Sequence, residues 1–255
     1  MTRRIFTSCR FFLAAAFAVG FLTSPAQAQS QAPSTGESKF VLDLGVGLDK
    51  SVNGNVNSGA IGVLQGQAAA LLPQPYGDVY GTGIQFRVGG GYTIDRFSEL
   101  RATLTFQSAD ADLVRLGDVG PSSLYAQYSD YQSMALDVGY RRYAPLENKV
   151  VRLYGEGTIG LGFIDAIDVR LAAPQSNLVL DNTDFYDQTA AFTWGINAGV
   201  LFRVAERWDV SAQIGLRHIS GLSAVDQLAG TGLDTINNDS GRLTFPIGIG
   251  LRVRF

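Results

Sequence analysis

Seven apolar residues occupy alternate positions at the end of the chain: Leu243, Phe245, Ile247, Ile249, Leu251, Val253 and Phe255. Thr244, Pro246, Gly248, Gly250, Arg252 and Arg254 lie between them. A strand turns successive side chains to opposite faces, so the pattern predicts one apolar face and one polar or small face. Pro246 forfeits a ladder hydrogen bond inside this strand, which predicts a bulge there. The alternation recurs upstream. One segment carries Phe40, Leu42, Leu44, Val46 and Leu48, the next Ile84, Phe86, Val88, Tyr92 and Ile94. Leu100, Ala102, Leu104 and Phe106 follow, then Met134, Leu136, Val138 and Tyr140, then Val151, Leu153, Ile159, Leu161 and Phe163. Phe192, Trp194, Ile196, Ala198, Val200 and Phe202 form the sixth set, and Trp208, Val210, Ala212, Ile214 and Leu216 the seventh.

Eight such segments with an apolar outer face predict an all-β protein: an eight-stranded antiparallel transmembrane β-barrel. Closure removes the sheet edges, and this is what allows a sheet to sit in lipid. The connections near Asp95, Pro145 and Glu206 are short, whereas 50–80, 109–130, 164–188 and 220–240 are long. Short turns on the periplasmic side and long loops outside are the expected asymmetry. Tyr92, Tyr140, Phe202, Trp208 and Phe255 fall at the turn ends of the strands, and Phe106, Phe163, Phe192 and Trp194 nearer the loop ends. They read as two interfacial girdles. Residues 60–72 are apolar and rich in alanine; they predict either a short helix on the barrel mouth or strands extending above the membrane.

The start of the chain adds an address. Arg3, Arg4 and Arg10 are followed by an apolar stretch from Phe11 to Leu22 and a small-x-small site at Ala26-Gln27-Ala28. Residues 1–28 therefore read as a cleaved secretory signal peptide, 29–38 as a flexible tail and 39–255 as the barrel. Export of a barrel implies the outer membrane of a Gram-negative-type cell, with outer-membrane lipid and lipopolysaccharide as its surroundings. The single cysteine, Cys9, lies in the leader, so the mature chain has no disulfide and no cysteine metal site. No metal site or cofactor is expected. The full chain carries a net charge of −3, and the leader holds three of its 20 basic residues and none of its acidic ones. The mature chain is thus more acidic still, and nucleic acid is not an expected partner.

An eight-stranded barrel is only wide enough for side chains to fill it. The inner phase holds Arg87, Arg101, Arg141, Arg152, Arg203 and Arg217 with Asp43, Asp49, Asp137, Glu156 and Asp209. Arg242, Arg252 and Arg254 share that side. This predicts an internal ion-pair network that largely fills the lumen; a narrow solute channel is the alternative. The long loops carry Asp78, Asp110, Asp112, Asp118, Asp130, Asp165, Asp168, Asp181, Asp184, Asp187, Asp226, Asp234 and Asp239 against Lys50, Arg115 and Arg170. Such loops stay soluble and could meet a basic extracellular partner. No run has the spacing of a calcium-binding loop.

One stretch suggests chemistry. His218 is the only histidine, and Ser220 shares its face two residues on. With Asp239 they make a candidate catalytic set for attack on a lipid ester. The His-x-Ser step resembles the motif of outer-membrane lipid A 3-O-deacylases, although Gly221 stands where that family has Asn and its acid is a glutamate at a shorter spacing. A broader resemblance covers nearly all of the mature chain. The leader, the eight segments, Gly-Tyr-Arg-Arg-Tyr at 139–143 and the Gly-Leu-Arg-Val-Arg-Phe ending are similar to porin-family, or opacity-type, outer membrane β-barrel proteins of the OmpA-like eight-stranded superfamily. That resemblance implies fold and location and no reaction. It implies that Phe255 is a signal read by the barrel assembly machinery and that the loops serve surface contact. The expected role is structural or surface-interacting rather than enzymatic.

Overall fold

The computed structural model describes residues 39–145, 150–176, 178–225, 232–233, 235–237 and 240–255. The expected leader and tail lie outside the described residues, as do Asp226, Asp234 and Asp239. Numbered along the chain, the membrane strands are β1 (Phe40–Asn53), β6 (Gly83–Asp95), β7 (Ser98–Ala109), β10 (Tyr131–Tyr143), β11 (Val151–Ile164), β14 (Thr189–Arg203), β15 (Trp208–Ile219) and β16 (Arg242–Arg254). They close into a barrel in the order β1-β16-β15-β14-β11-β10-β7-β6. Each strand pairs antiparallel with its neighbours, and β1 meets both β16 and β6. Leu44, Val46, Leu48, Ile196, Ile214, Ile247 and Ile249 are exposed on the outer face, where lipid covers them. Phe40, Tyr92, Tyr140, Phe202, Trp208 and Phe255 are exposed around the turn end, and Phe86, Phe163, Phe192 and Trp194 around the other.

The last strand corrects one expectation. Pro246 lies opposite Asp49 in an unbroken register that runs from Val41–Arg254 to Ser51–Thr244. No bulge forms there. On the β15 side the pairing pauses after Ile214–Ile247 and resumes at Arg217–Thr244 in the same register. Proline removes a donor from the ladder without forcing an extra residue into the strand. The irregularity in β1 comes later, between Ser51 and Asn53.

Most of the long connections are themselves strands. Residues 60–72 form a hairpin of β3 (Ala60–Leu64) and β4 (Gln67–Leu71) rather than a helix. Its turn residues Gln65 and Gly66 both have positive φ, of 50° and 78°, as a tight hairpin turn requires. The second connection folds into β8 (Leu113–Val119) and β9 (Ser122–Tyr128), the third into β12 (Ile167–Ala173) and β13 (Leu178–Tyr186). The three hairpins stand side by side in a six-stranded sheet, β13-β12-β9-β8-β4-β3. Short strands β2 (Asn55–Asn57) and β5 (Gln74–Pro75) pair beside it, and a single helical turn, α1 (Tyr76–Val79), follows β5.

This extracellular sheet has its own hydrophobic core. Leu64, Leu71, Leu116, Val119, Leu124, Ala126, Val169, Leu171, Leu178 and Phe185 are buried together on its inner face. Leu233 and Ile236, from the fourth connection, join the same cluster, and Ser58 donates its amide to the Ile236 carbonyl at 2.7 Å. Tyr76, Val79, Tyr80, Tyr131, Ile164 and Ile219 continue the core down to the barrel mouth. Two ion pairs, Arg115–Asp118 at 2.7 Å and Arg170–Asp181 at 2.7 Å, lie exposed on the opposite face.

Candidate functional site: a lumen closed at both ends

The inward residues of the eight strands build three layers, starting from the periplasmic turns. Glu99, at the foot of β7, is fully buried. It accepts hydrogen bonds from the Tyr143 hydroxyl at 2.8 Å and the Arg101 guanidinium at 2.9 Å, and it pairs with Arg252. Arg252 also donates to the Tyr143 hydroxyl at 2.7 Å. Tyr143 packs edge-on to Tyr154, 6.2 Å between centroids, with Leu201 and Phe97 beside them. The Arg141 guanidinium lies 3.8 Å from the Tyr154 ring centroid and Arg152 lies 4.5 Å from that of Tyr143. Asp209 is buried among four arginines: Arg254 at 3.2 Å, Arg152 at 3.8 Å, Arg203 at 3.9 Å and Arg252 at 4.0 Å. Charged groups taken out of water are tolerated when paired and hydrogen-bonded. Glu99 meets both conditions, whereas Asp209 Oδ2 is ion-paired but makes no hydrogen bond among the described residues.

The middle layer surrounds a cavity of about 80 Å³. Arg101 reaches Asp43 at 2.9 Å and Glu156 at 3.3 Å. Arg141 meets Glu156 at 2.6 Å. Asp137 accepts from the Thr193 hydroxyl at 2.6 Å and from Arg217 at 2.9 Å. Arg87 faces the same cavity without an ion pair among the described residues. Above it, Asp49 is buried and accepts from Gln107 at 2.8 Å.

The top layer is an aromatic lid. Arg242 is buried, donates to the Ser51 hydroxyl at 2.7 Å, and sits 4.3 Å from the Tyr131 ring centroid and 5.4 Å from that of Tyr76. Rings in contact with a guanidinium stabilise it by cation–π attraction, more so away from water. Tyr76 belongs to α1, so the first connection folds inward to cover the mouth. Its hydroxyl donates to the Ser240 carbonyl at 3.2 Å, and that of Tyr80 donates to the Ser129 carbonyl at 3.1 Å. Burial pushes both phenols well above the usual tyrosine range, so both remain neutral donors. Sequence reasoning overlooked Glu99 and the Tyr76–Tyr80–Tyr131 lid. Glu99 shares the inward phase of Arg101, Thr103 and Thr105, a signal that appears once the strand is started at Ser98.

The candidate catalytic residues are arranged differently. His218 stacks on Trp194, 5.6 Å between centroids and 20° between planes, and the two residues pair across β14 and β15. The Ser220 hydroxyl accepts the backbone N–H of Phe192 at 2.9 Å, and the Ser220 amide donates to the Phe192 carbonyl at 2.9 Å. No hydrogen bond joins His218 to Ser220, and Asp239 lies outside the described residues. A serine nucleophile needs a base within hydrogen-bond reach. The arrangement gives the esterase reading no support. Phe255 has an exposed side chain, and its amide closes the barrel seam by donating to the Phe40 carbonyl at 2.9 Å.

The outer membrane protein beta-barrel domain matches residues 14–255. The chain belongs to this family. Its place is therefore the outer membrane. No curated protein matches the sequence. Solved structures similar to it include Neisserial surface protein A, which is 14% identical, with 86% of this chain and 99% of that one covered and a TM-score of 0.45. The outer membrane protease OmpT from Escherichia coli is 8% identical, with 88% and 99% covered and a TM-score of 0.44. Ail, the attachment invasion locus protein of Yersinia pestis, solved with the heparin analogue sucrose octasulfate, is 11% identical, with 84% and 99% covered and a TM-score of 0.36.

Proposed function

We propose that this family member is a surface-presenting anchor rather than a pore or an esterase. The observation that carries this reading is the pair of closures on one lumen: the Glu99–Arg252–Tyr143 knot below and the Arg242–Tyr76–Tyr131 lid above. A barrel closed at both ends has its working surface outside. The cored extracellular sheet supplies that surface. Its aspartates outnumber its bases, and Arg115 and Arg170 are already engaged with Asp118 and Asp181. Asp78, Asp110, Asp112, Asp165 and Asp187 leave it acidic, which suits a basic extracellular partner. The leader-like residues 1–28 support export across the inner membrane of a Gram-negative-type cell, and the terminal Phe255 suits recognition by the barrel assembly machinery.

Single-channel recording in planar bilayers tests the reading. The protein is expected to insert without a stable open level. A steady conductance would return the lumen to the role of a solute path.

A further inference from the structure

The central cavity contains one more positive charge than its walls neutralise. Of the four arginines lining it, Arg101 pairs with Asp43 at 2.9 Å, Arg141 with Glu156 at 2.6 Å and Arg217 with Asp137 at 2.9 Å. Those three carboxylates are the only ones that line it, so Arg87 is left over. Among the described residues the Arg87 side chain has no hydrogen bond or ion pair. Its guanidinium lies against Gly45 and Gly248, and a β-carbon at Gly248 would collide with it. The glycines thus make room for the cation beside the cavity. Two further donors on the wall have no acceptor: Gln85 Nε2 and Arg141 Nη1, both buried.

Titration cannot remove the excess charge. Arginine keeps its proton in proteins, and protonating a wall carboxylate would add positive charge. An uncompensated charge away from bulk water is strongly disfavoured. What fits is an acceptor with one negative charge. A single water needs about 10–15 Å³ of such a cavity, so about 80 Å³ admits an ion of a few atoms with water beside it. We propose that the lumen binds a small monovalent inorganic anion of the chloride, bromide or nitrate kind, held by Arg87 with Gln85 and Arg141 donating alongside. The closures above and below the cavity exclude larger anions such as gluconate.

Crystals of the protein grown in sodium bromide and measured at the bromine absorption edge test this directly. An anomalous peak within hydrogen-bonding reach of the Arg87 guanidinium is expected; a lumen without one overturns the proposal. In detergent micelles, replacing gluconate by chloride at constant ionic strength raises the unfolding temperature of the unaltered protein. Arg87→Met abolishes that dependence. Should Arg87→Met fail to fold, Gln85→Leu retains every ion pair and raises the half-effective chloride concentration about tenfold, as loss of a hydrogen bond to a charged group would. Equal unfolding temperatures in the two salts, or a variant that responds like the unaltered protein, would contradict the site.

Discussion

The membrane barrel and the extracellular sheet use the same two-residue period with opposite sign. On β16, Ile247, Ile249 and Leu251 point outward and Thr244 and Arg252 inward. On β12, Ile167, Val169 and Leu171 are buried inward, and Arg170 and Asp181 meet on the outside. The medium outside each region decides the sign. Lipid rewards an apolar outer face and leaves a polar interior, which must then satisfy its own charges. Water rewards the reverse, so the extracellular sheet is held by ordinary apolar burial. One chain therefore contains two sheets with different sources of stability.

Substitutions at matched positions sharpen that difference. The largest effect is expected inside the barrel. Glu99→Ala would leave buried Arg252 with the Tyr143 hydroxyl and a carboxylate, Asp209, no closer than 4.0 Å, and would cost about 3–5 kcal/mol, as breaking a buried ion pair does. Urea unfolding in micelles reads this; a loss below about 1 kcal/mol would mean the knot is solvated. Next comes the extracellular core, where Leu124→Ala should cost about 3 kcal/mol through lost contacts and a cavity. That loss should appear as protease sensitivity of β8 and β9 while the barrel stays resistant. Ile249→Arg, on the lipid face near mid-strand, should cost about 2–3 kcal/mol. The same change at Ile61, 84% exposed on the outer face of β3, should stay within about 0.5 kcal/mol. Equal costs at these two sites would erase the distinction between lipid and water as the outer medium.

The smallest effect is a pH dependence. Partial burial and, secondarily, the neighbouring Asp184 raise the Asp168 carboxyl above its usual range. A raised acid favours the protonated folded state. The Asp168 contribution to the stability of the extracellular sheet should therefore be fully present below the ordinary aspartate pKa of about 3.9 and be lost as pH rises through the raised folded value. Asp184→Asn should flatten the trend in pH-dependent proteolysis of β12 and β13. An unchanged slope would leave the Asp184 charge without influence.

The barrel was legible because the outer face repeats on every membrane strand, and the repetition itself is the signal. The extracellular sheet was harder to read. Ile167, Val169, Leu171 and Ala173 alternate as cleanly as any membrane strand, but the run lasts seven residues and sits between aspartates, so length and charge argued for a loop. Glu99 was hidden by its place in a turn-like stretch, Asp95-Arg96-Phe97-Ser98, beside the start of β7. The tyrosine lid depends on α1 folding back over the mouth, a tertiary placement that no local pattern encodes. His218 and Ser220 show the opposite case. Their spacing suggested chemistry, yet cross-strand pairing committed one to Trp194 and the other to the Phe192 backbone. Ser220→Ala should accordingly leave the lipid A mass spectrum of expressing cells unchanged, and loss of an acyl chain that depends on Ser220 would reverse that view.

Hydrogen–deuterium exchange on the protein in micelles tests the two-sheet account most directly. The amides of Leu124, Ala126, Val169 and Leu171 lie in paired strands over a buried core and should stay protected for hours, separately from those of the barrel. Exchange of these amides within seconds, with the barrel amides still protected, would show that the extracellular connections are loops after all and would contradict it.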